Sequence, residues 1–186
     1  MRKLSVFNNI SLDGYFTDAK GDMSWAHKQD AEWQDFTAGN ARGGGVMLFG
    51  RVTYDLMAGF WPTPMAMQSL PEVATAMNKA EKIVFSRRMD KAAWNNTRLV
   101  KDDIAGTVAK LKAESGDGMV IFGSGTIVAQ LTEAGLIDEF QIALSPIVLG
   151  GGRTMFEGVA TRPTLKRTEA RTFANGAVFL RYETVR

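Results

Sequence analysis

The chain contains no cysteine. That excludes disulfides, thiolate nucleophiles and any metal site built on sulfur. It contains one histidine, His27. One imidazole is too few for a histidine-ligated metal centre, so no metal is expected. A Ser-His-Asp triad would have to be built on His27, and no nucleophile-elbow sequence accompanies it. His27 therefore reads as a loop or surface residue. Long apolar runs are also missing. None approaches the roughly 20 residues that span a bilayer. Asn8, Asn9, Ser11 and Asp13 interrupt the apolar residues behind Met1-Arg2-Lys3, which argues against a signal peptide. Cytoplasmic residence without a membrane partner is the expectation. A net charge of +2 is too small to point to nucleic acid. If the protein is an enzyme, these absences leave the difficult chemistry to a cofactor.

What is present is the pattern of an α/β domain. The 186 residues suffice for one substantial core. No repeat, low-complexity segment or linker divides them, so residues 1–186 read as a single domain. Leu4, Val6 and Ile10 alternate with Ser5, Phe7 and Asn9, which predicts a first strand. Short strands are expected at residues 46–49, 83–85, 97–100 and 119–122. Helices are expected over residues 28–40, with Trp33 and Phe36 inward, and from Pro71 to about residue 79. Another carries Ile104, Val108 and Leu111 behind a cap at Asp102 or Asp103. The Gly43-Gly44-Gly45 triplet reads as a plain loop. The last third is β-rich: a strand over residues 140–149, then strands over 164–173 and 177–185 joined by Asn175-Gly176, a strong hairpin signal. Alternating strands and helices followed by such an end imply a mainly parallel sheet with an antiparallel edge.

The organising stretch is residues 119–131. A fully apolar run breaks at Gly123-Ser124-Gly125 and resumes with Ile127 and Leu131 at helical spacing. It reads as strand, glycine turn and helix, with the helix ending near Gly135. Free N–H groups at a helix N-terminus suit a phosphate, and glycine permits close approach of a ligand to the backbone. Two further strand ends carry similar chemistry, Gly50-Arg51-x-Thr53 and Ser86-Arg87-Arg88. In open α/β sheets ligands gather at the carboxyl ends of strands, so the three ends together predict a dinucleotide cleft.

These residues carry a resemblance. The segments Ser11-Leu12-Asp13-Gly14, Phe49-Gly50-Arg51-Val52-Thr53-Tyr54, Phe122-Gly123-Ser124-Gly125, Leu144-Ser145-Pro146-Ile147-Val148-Leu149-Gly150-Gly151-Gly152 and Phe179-Leu180-Arg181-Tyr182-Glu183 follow in the order of the dihydrofolate-reductase-like superfamily. The chain looks most like the C-terminal reductase domain of riboflavin-biosynthesis deaminase-reductases and its stand-alone relatives. The resemblance implies a three-layer fold, NADPH-dependent hydride transfer and a homodimer. By position it assigns Gly50, Arg51 and Thr53 to the cofactor phosphates, and Ser86 and Arg87 to the adenosine 2′-phosphate. Gly123, Ser124, Gly125, Thr126 and Ile127 fall to the pyrophosphate turn. Trp25 and Asp30 match a tryptophan and the acid that assists protonation. Asp13 lies in the motif of the stand-alone relatives and is the second candidate acid.

The departures narrow the substrate. Folate reductases hold the glutamate tail with an arginine after the Gly-Arg-x-Thr helix, whereas residues 55–70 here contain no arginine or lysine. The expectation is an NADPH-dependent reductase of a small polar substrate, a pyrimidine or pterin-like heterocycle. The alternative is a nucleotide-binding module without turnover.

Overall fold

The computed structural model describes residues 1–26, 30–42 and 45–186. His27, Lys28 and the first two glycines of the 43–45 triplet lie outside the described residues. The strands are β1 (Leu4–Ser11), β2 (Val46–Gly50), β3 (Glu81–Phe85), β4 (Thr97–Val100), β5 (Met119–Phe122), β6 (Glu139–Ser145), β7 (Leu165–Thr172) and β8 (Val178–Thr184). The helices are α1 (Ala31–Arg42), α2 (Arg51–Phe60), α3 (Pro64–Ser69), α4 (Pro71–Lys79), α5 (Ile104–Ala113) and α6 (Gly125–Glu133). A single sheet runs in the order β4-β3-β2-β5-β1-β6-β8-β7. Strands β1 to β6 pair in parallel, and β8 lies antiparallel between β6 and β7. The expected mainly parallel sheet with an antiparallel C-terminal hairpin is the fold observed.

The alternation in the strands builds two cores. Leu4 and Val6 share one face with Val46, Leu48, Ile83 and Ile121, and are covered by Val108 and Leu111 of α5 and Ile127, Val128 and Leu131 of α6. The other face carries Met47, Phe49 and Val84 beneath Val73 and Met77 of α4. Further along it, Phe7 and Phe179 lie beneath Trp33 of α1. Three layers result.

Local chemistry sets the element ends. Asp30 accepts the Trp33 N–H at 2.9 Å and caps α1, so this helix starts at Ala31. Pro62-Thr63-Pro64 does more than end α2. Thr63 accepts the Ala66 N–H and Pro64 opens α3, because proline is tolerated in a first turn. At the end of α6, Gly135 adopts φ +65°. Leu136 N–H bonds to the Leu131 carbonyl and Gly135 N–H to that of Thr132, the paired bonds of a Schellman motif. Strand β6 stops at Ser145, short of the expected residue 149, because Pro146 has no N–H to continue a ladder. The hairpin turns at Gly176, with φ +84°.

Candidate active site

The parallel strands β2, β3 and β5 put their carboxyl ends, Gly50, Phe85 and Phe122, on one edge of the sheet. From β2 the chain moves outward to β3, and from β5 it moves the opposite way to β6. The gap between them is a topological switch point, where open α/β sheets hold ligands. A cleft of about 840 Å³ opens there.

The β5–α6 turn is tied to the β2–α2 turn through one side chain. Ser124 Oγ accepts the Gly50 N–H at 2.9 Å and donates to the Phe122 carbonyl at 2.8 Å. Its own N–H donates to Thr53 Oγ1 at 3.1 Å. Gly123 and Ser124 both sit at positive φ, +56° and +57°. Two glycines make the turn fit. A Cβ on Gly123 would stand 2.8 Å from Thr53 Oγ1, and one on Gly125 would stand 2.5 Å from the Phe16 ring. Because the Ser124 hydroxyl is engaged with strand backbone, it makes no cap bond to α6. The first residues of that helix, Gly125 and Thr126, line the cleft.

Charge is unevenly distributed around the cleft. Arg51, Arg87, Arg88 and Lys101 come from the ends of β2, β3 and β4. Arg153 stands beside the α6 N-terminus, its Nη2 3.4 Å from Thr126 Oγ1. Arg51 pairs with Asp55 at 3.0 Å and Arg87 with Asp102 at 3.1 Å, and all four side chains are exposed. Exposed pairs of this kind are worth about 0–1 kcal/mol. Hydrogen bonds to a charged group such as a phosphate are worth about 1.5–3 kcal/mol each, so the pairs would yield to an anion.

A profile described as the RibD C-terminal domain matches residues 2–179. The chain belongs to the RibD C-terminal domain family. It is 29% identical over 182 residues to the protein YyaP of Bacillus subtilis, described only as uncharacterized, covering 97% of this chain and 94% of that one. A putative riboflavin biosynthesis protein from Shewanella sp. PV-4 shares the fold at a TM-score of 0.75 and 22% identity, with 99% of each chain covered. A diaminohydroxyphosphoribosylaminopyrimidine deaminase/5-amino-6-(5-phosphoribosylamino)uracil reductase from Thermotoga maritima does so at 0.69 and 14% identity. There the match covers 99% of this chain but 57% of the bifunctional one. At these identities the structural likenesses establish the fold alone.

Within this RibD-type domain the predicted cofactor residues fall into two groups. Gly50, Arg51, Thr53, Ser86 and Arg87 line the cleft, as do Ser124, Gly125, Thr126 and Ile127. Gly123 lies behind them under Thr53. Arg88 joins Arg87 in the lining, although strand alternation would send them to opposite faces. The strand has already ended at Phe85, and the Ser86 hydroxyl accepts the N–H groups of Arg88 and Met89, bending the chain.

The two candidate acids are placed differently. Asp30 caps α1 and Asp13 holds the 149–150 backbone; neither lines the cleft. Asp13 accepts the N–H groups of Leu149 at 3.1 Å and Gly150 at 2.7 Å. A hydrogen bond with Ser11 is the largest influence on its carboxyl; desolvation opposes it, and the two N–H groups add to it, so the carboxyl is held below the usual carboxylate range.

Sequence reading passed over Phe16, Thr17, Met23 and Arg153 in the lining. Phe16 donates its N–H to the Arg153 carbonyl at 2.9 Å, and Arg153 donates its own to Thr17 at 3.2 Å. A Cβ on Gly152 would fall 2.0 Å from the Thr17 carbonyl oxygen. The glycine triplet at 150–152 was the available signal. It marks a close backbone approach, not only a bend.

Proposed function

We propose that this domain is an NADPH-dependent reductase that passes a hydride to a small heterocyclic substrate. The observation that carries the reading is the switch-point cleft. Its α6 N-terminus is free of a side-chain cap, and its cations gather at the β2–β3–β4 end.

The donor set fits a dinucleotide. Gly125, Thr126 and Arg153 would hold the pyrophosphate at the helix N-terminus. Arg51 and Arg87, with Ser86, would hold the 2′-phosphate through charge-assisted bonds. A bound nicotinamide dinucleotide supplies the hydride. The chain itself anchors the phosphates, fixes the turn through Ser124 and walls off the cleft with Phe16 over Gly125. We assign the proton to Asp30, to Asp13 or to water.

Titration calorimetry with NADPH and NADH tests the cofactor. Two charge-assisted contacts, discounted for exposure, correspond to roughly 3 kcal/mol, or a preference for NADPH on the order of a hundredfold. Arg51→Ala should weaken NADPH far more than NADH. Equal affinities in the wild type would overturn the assignment. The second reading, a nucleotide-binding module without turnover, is favoured by one observation: neither candidate acid lines the cleft. Anaerobic NADPH oxidation against a heterocycle panel separates the two.

A further inference from the structure

Tyr54 follows Thr53 on α2, but Thr53 lines the cleft and Tyr54 does not. Its side chain is buried in the core on the other face of the sheet, with Phe49, Val84 and Trp94. Its ring lies 6.4 Å from that of Phe49 and 6.2 Å from that of Trp94. Packing accounts for the ring and leaves the hydroxyl unexplained. That oxygen accepts the Trp94 N–H at 2.9 Å, a buried bond between residues 40 apart in sequence.

Trp94 stands near the far end of the segment that joins β3 to β4. The near end of that segment is Ser86-Arg87-Arg88, in the cleft lining. No helix or strand supports the chain between Phe85 and Thr97, so its anchors decide where those arginines stand. One anchor is the Ser86 hydroxyl, which accepts the N–H groups of Arg88 and Met89. Trp94 is the other, and it is clamped on three sides. Besides the bond to Tyr54, its Nε1 donates to Asn78 Oδ1 at 2.7 Å. Asn78 Nδ2 in turn donates to the carbonyl of Trp61, the residue that ends α2, at 2.9 Å. The buried Lys82 ammonium lies 4.5 Å over the Trp94 ring, a favourable cation–π arrangement. Lys82 Nζ also donates to the carbonyls of Met77, Asn78 and Ala80. Trp94 is thus fixed to α2 near both ends, through Tyr54 and through Asn78. The same helix begins with Arg51. The network therefore joins two cations that come from different strand ends, Arg51 and Arg87.

We infer that the Tyr54 hydroxyl is a positioning group that holds the Arg87 segment in register with Arg51, and that in the proposed reductase it thereby sets the preference for NADPH over NADH. The second clause rests on the reductase reading and the first does not. Cations fixed before the ligand arrives need not be ordered by it, which is the gain from preorganisation. Gly125, Thr126 and Arg153, the groups assigned to the pyrophosphate, come from α6 and the turn before it closes on Thr17. Tyr54 makes no bond to them, so both cofactors keep that part of their grip when the hydroxyl is lost.

The test is Tyr54→Phe in the full chain, which keeps the ring and leaves the buried Trp94 N–H without its acceptor. In titration calorimetry the variant should bind NADPH about tenfold more weakly, and NADH within about twofold of the wild type. A general loss of stability would move both cofactors together. Amide hydrogen exchange without cofactor is the second readout. The amides of Arg88, Met89 and Trp94 should exchange about tenfold faster or more, while that of Val128 in α6 keeps its rate. Where the wild type prefers NADPH, an unchanged NADPH-to-NADH ratio in the variant overturns the inference and leaves the reductase reading standing. Unchanged exchange at those three amides overturns it whatever binds. A wild type that binds neither cofactor sinks the reductase reading, and exchange then decides the positioning role by itself. If Tyr54→Phe does not fold, Asn78→Ala unties Trp94 from a half-buried position and is judged by the same outcomes.

Discussion

Ser124 Oγ and the Gly50 N–H meet at 2.9 Å across 74 residues of sequence. This contact joins the two turns that frame the cleft. The N–H belongs to the residue at the N-cap position of α2, and the hydroxyl to the residue at the N-cap position of α6. Loosening one turn therefore loosens the other.

The first prediction separates the two features of Ser124, its hydroxyl and its left-handed backbone. Ser124→Ala removes the hydroxyl and keeps the Cβ at φ +57°. Leaving the Gly50 N–H without its acceptor should cost about 1–3 kcal/mol of stability. Ser124→Gly loses the same bonds but relieves the left-handed strain, which is about 1–2 kcal/mol for a residue with a Cβ. The glycine variant should be the more stable of the two in urea unfolding. The reverse order would show that the turn is not strained at this residue.

Asp30→Asn is the second prediction. Asparagine caps a helix about as well as aspartate, so the Trp33 N–H keeps its acceptor and the fold should hold. Turnover should drop by about 10²–10⁴-fold, while NADPH affinity stays unchanged. Unchanged turnover would hand the proton to Asp13 or to water.

A third prediction concerns acid stability. Asp138 gathers the Leu4 N–H at 2.8 Å, the buried ammonium of Lys112 and the guanidinium of Arg186. Burial pushes its carboxyl up. The bonds from Lys112 and Leu4 and the charges of Lys112 and Arg186 outweigh that and hold it below the usual range. The folded value is the lower one, so its stabilising contribution is complete above the unfolded carboxyl's pKa of about 4. It fades as pH falls through the folded value. Asp138→Asn should cost about 3 kcal/mol or more at neutral pH by stranding Lys112, and should flatten the acid limb of the stability curve. An acid limb matching the wild type would refute this.

The fourth prediction is the homodimer, proposed from the family resemblance. The open edge strand β7 is exposed and carries Lys166, Arg167, Glu169 and Arg171, with a register break between Arg167 and Glu169. Charges and bulges of this kind discourage edge pairing. Light scattering should still report a two-chain mass at micromolar concentration, and charge changes along β7 should leave that mass unaltered. A monomer throughout would end the proposal.

Local signals in the sequence determined much of the fold. Alternation places Leu4 and Val6 on one face of β1 with Phe7 on the other, because side chains on a strand alternate strictly. Asn175-Gly176 marks the hairpin because a tight turn needs positive φ. The residues of the two glycine-flanked turns are legible for the same reason. Other features belong to the tertiary structure. Strand order alone makes the gap between β2 and β5 a switch point, and no local pattern encodes strand order. Pro146 cuts β6 short of its apolar continuation. The placement of Asp13 against Leu149 and Gly150 depends on two loops more than 130 residues apart lying in contact, and that of Arg153 beside Thr126 spans 27 residues. Type and spacing of residues reveal what a turn can bind, but only the packed sheet decides which distant side chains share its cleft, because contact energy depends on distance in space and not on distance along the chain.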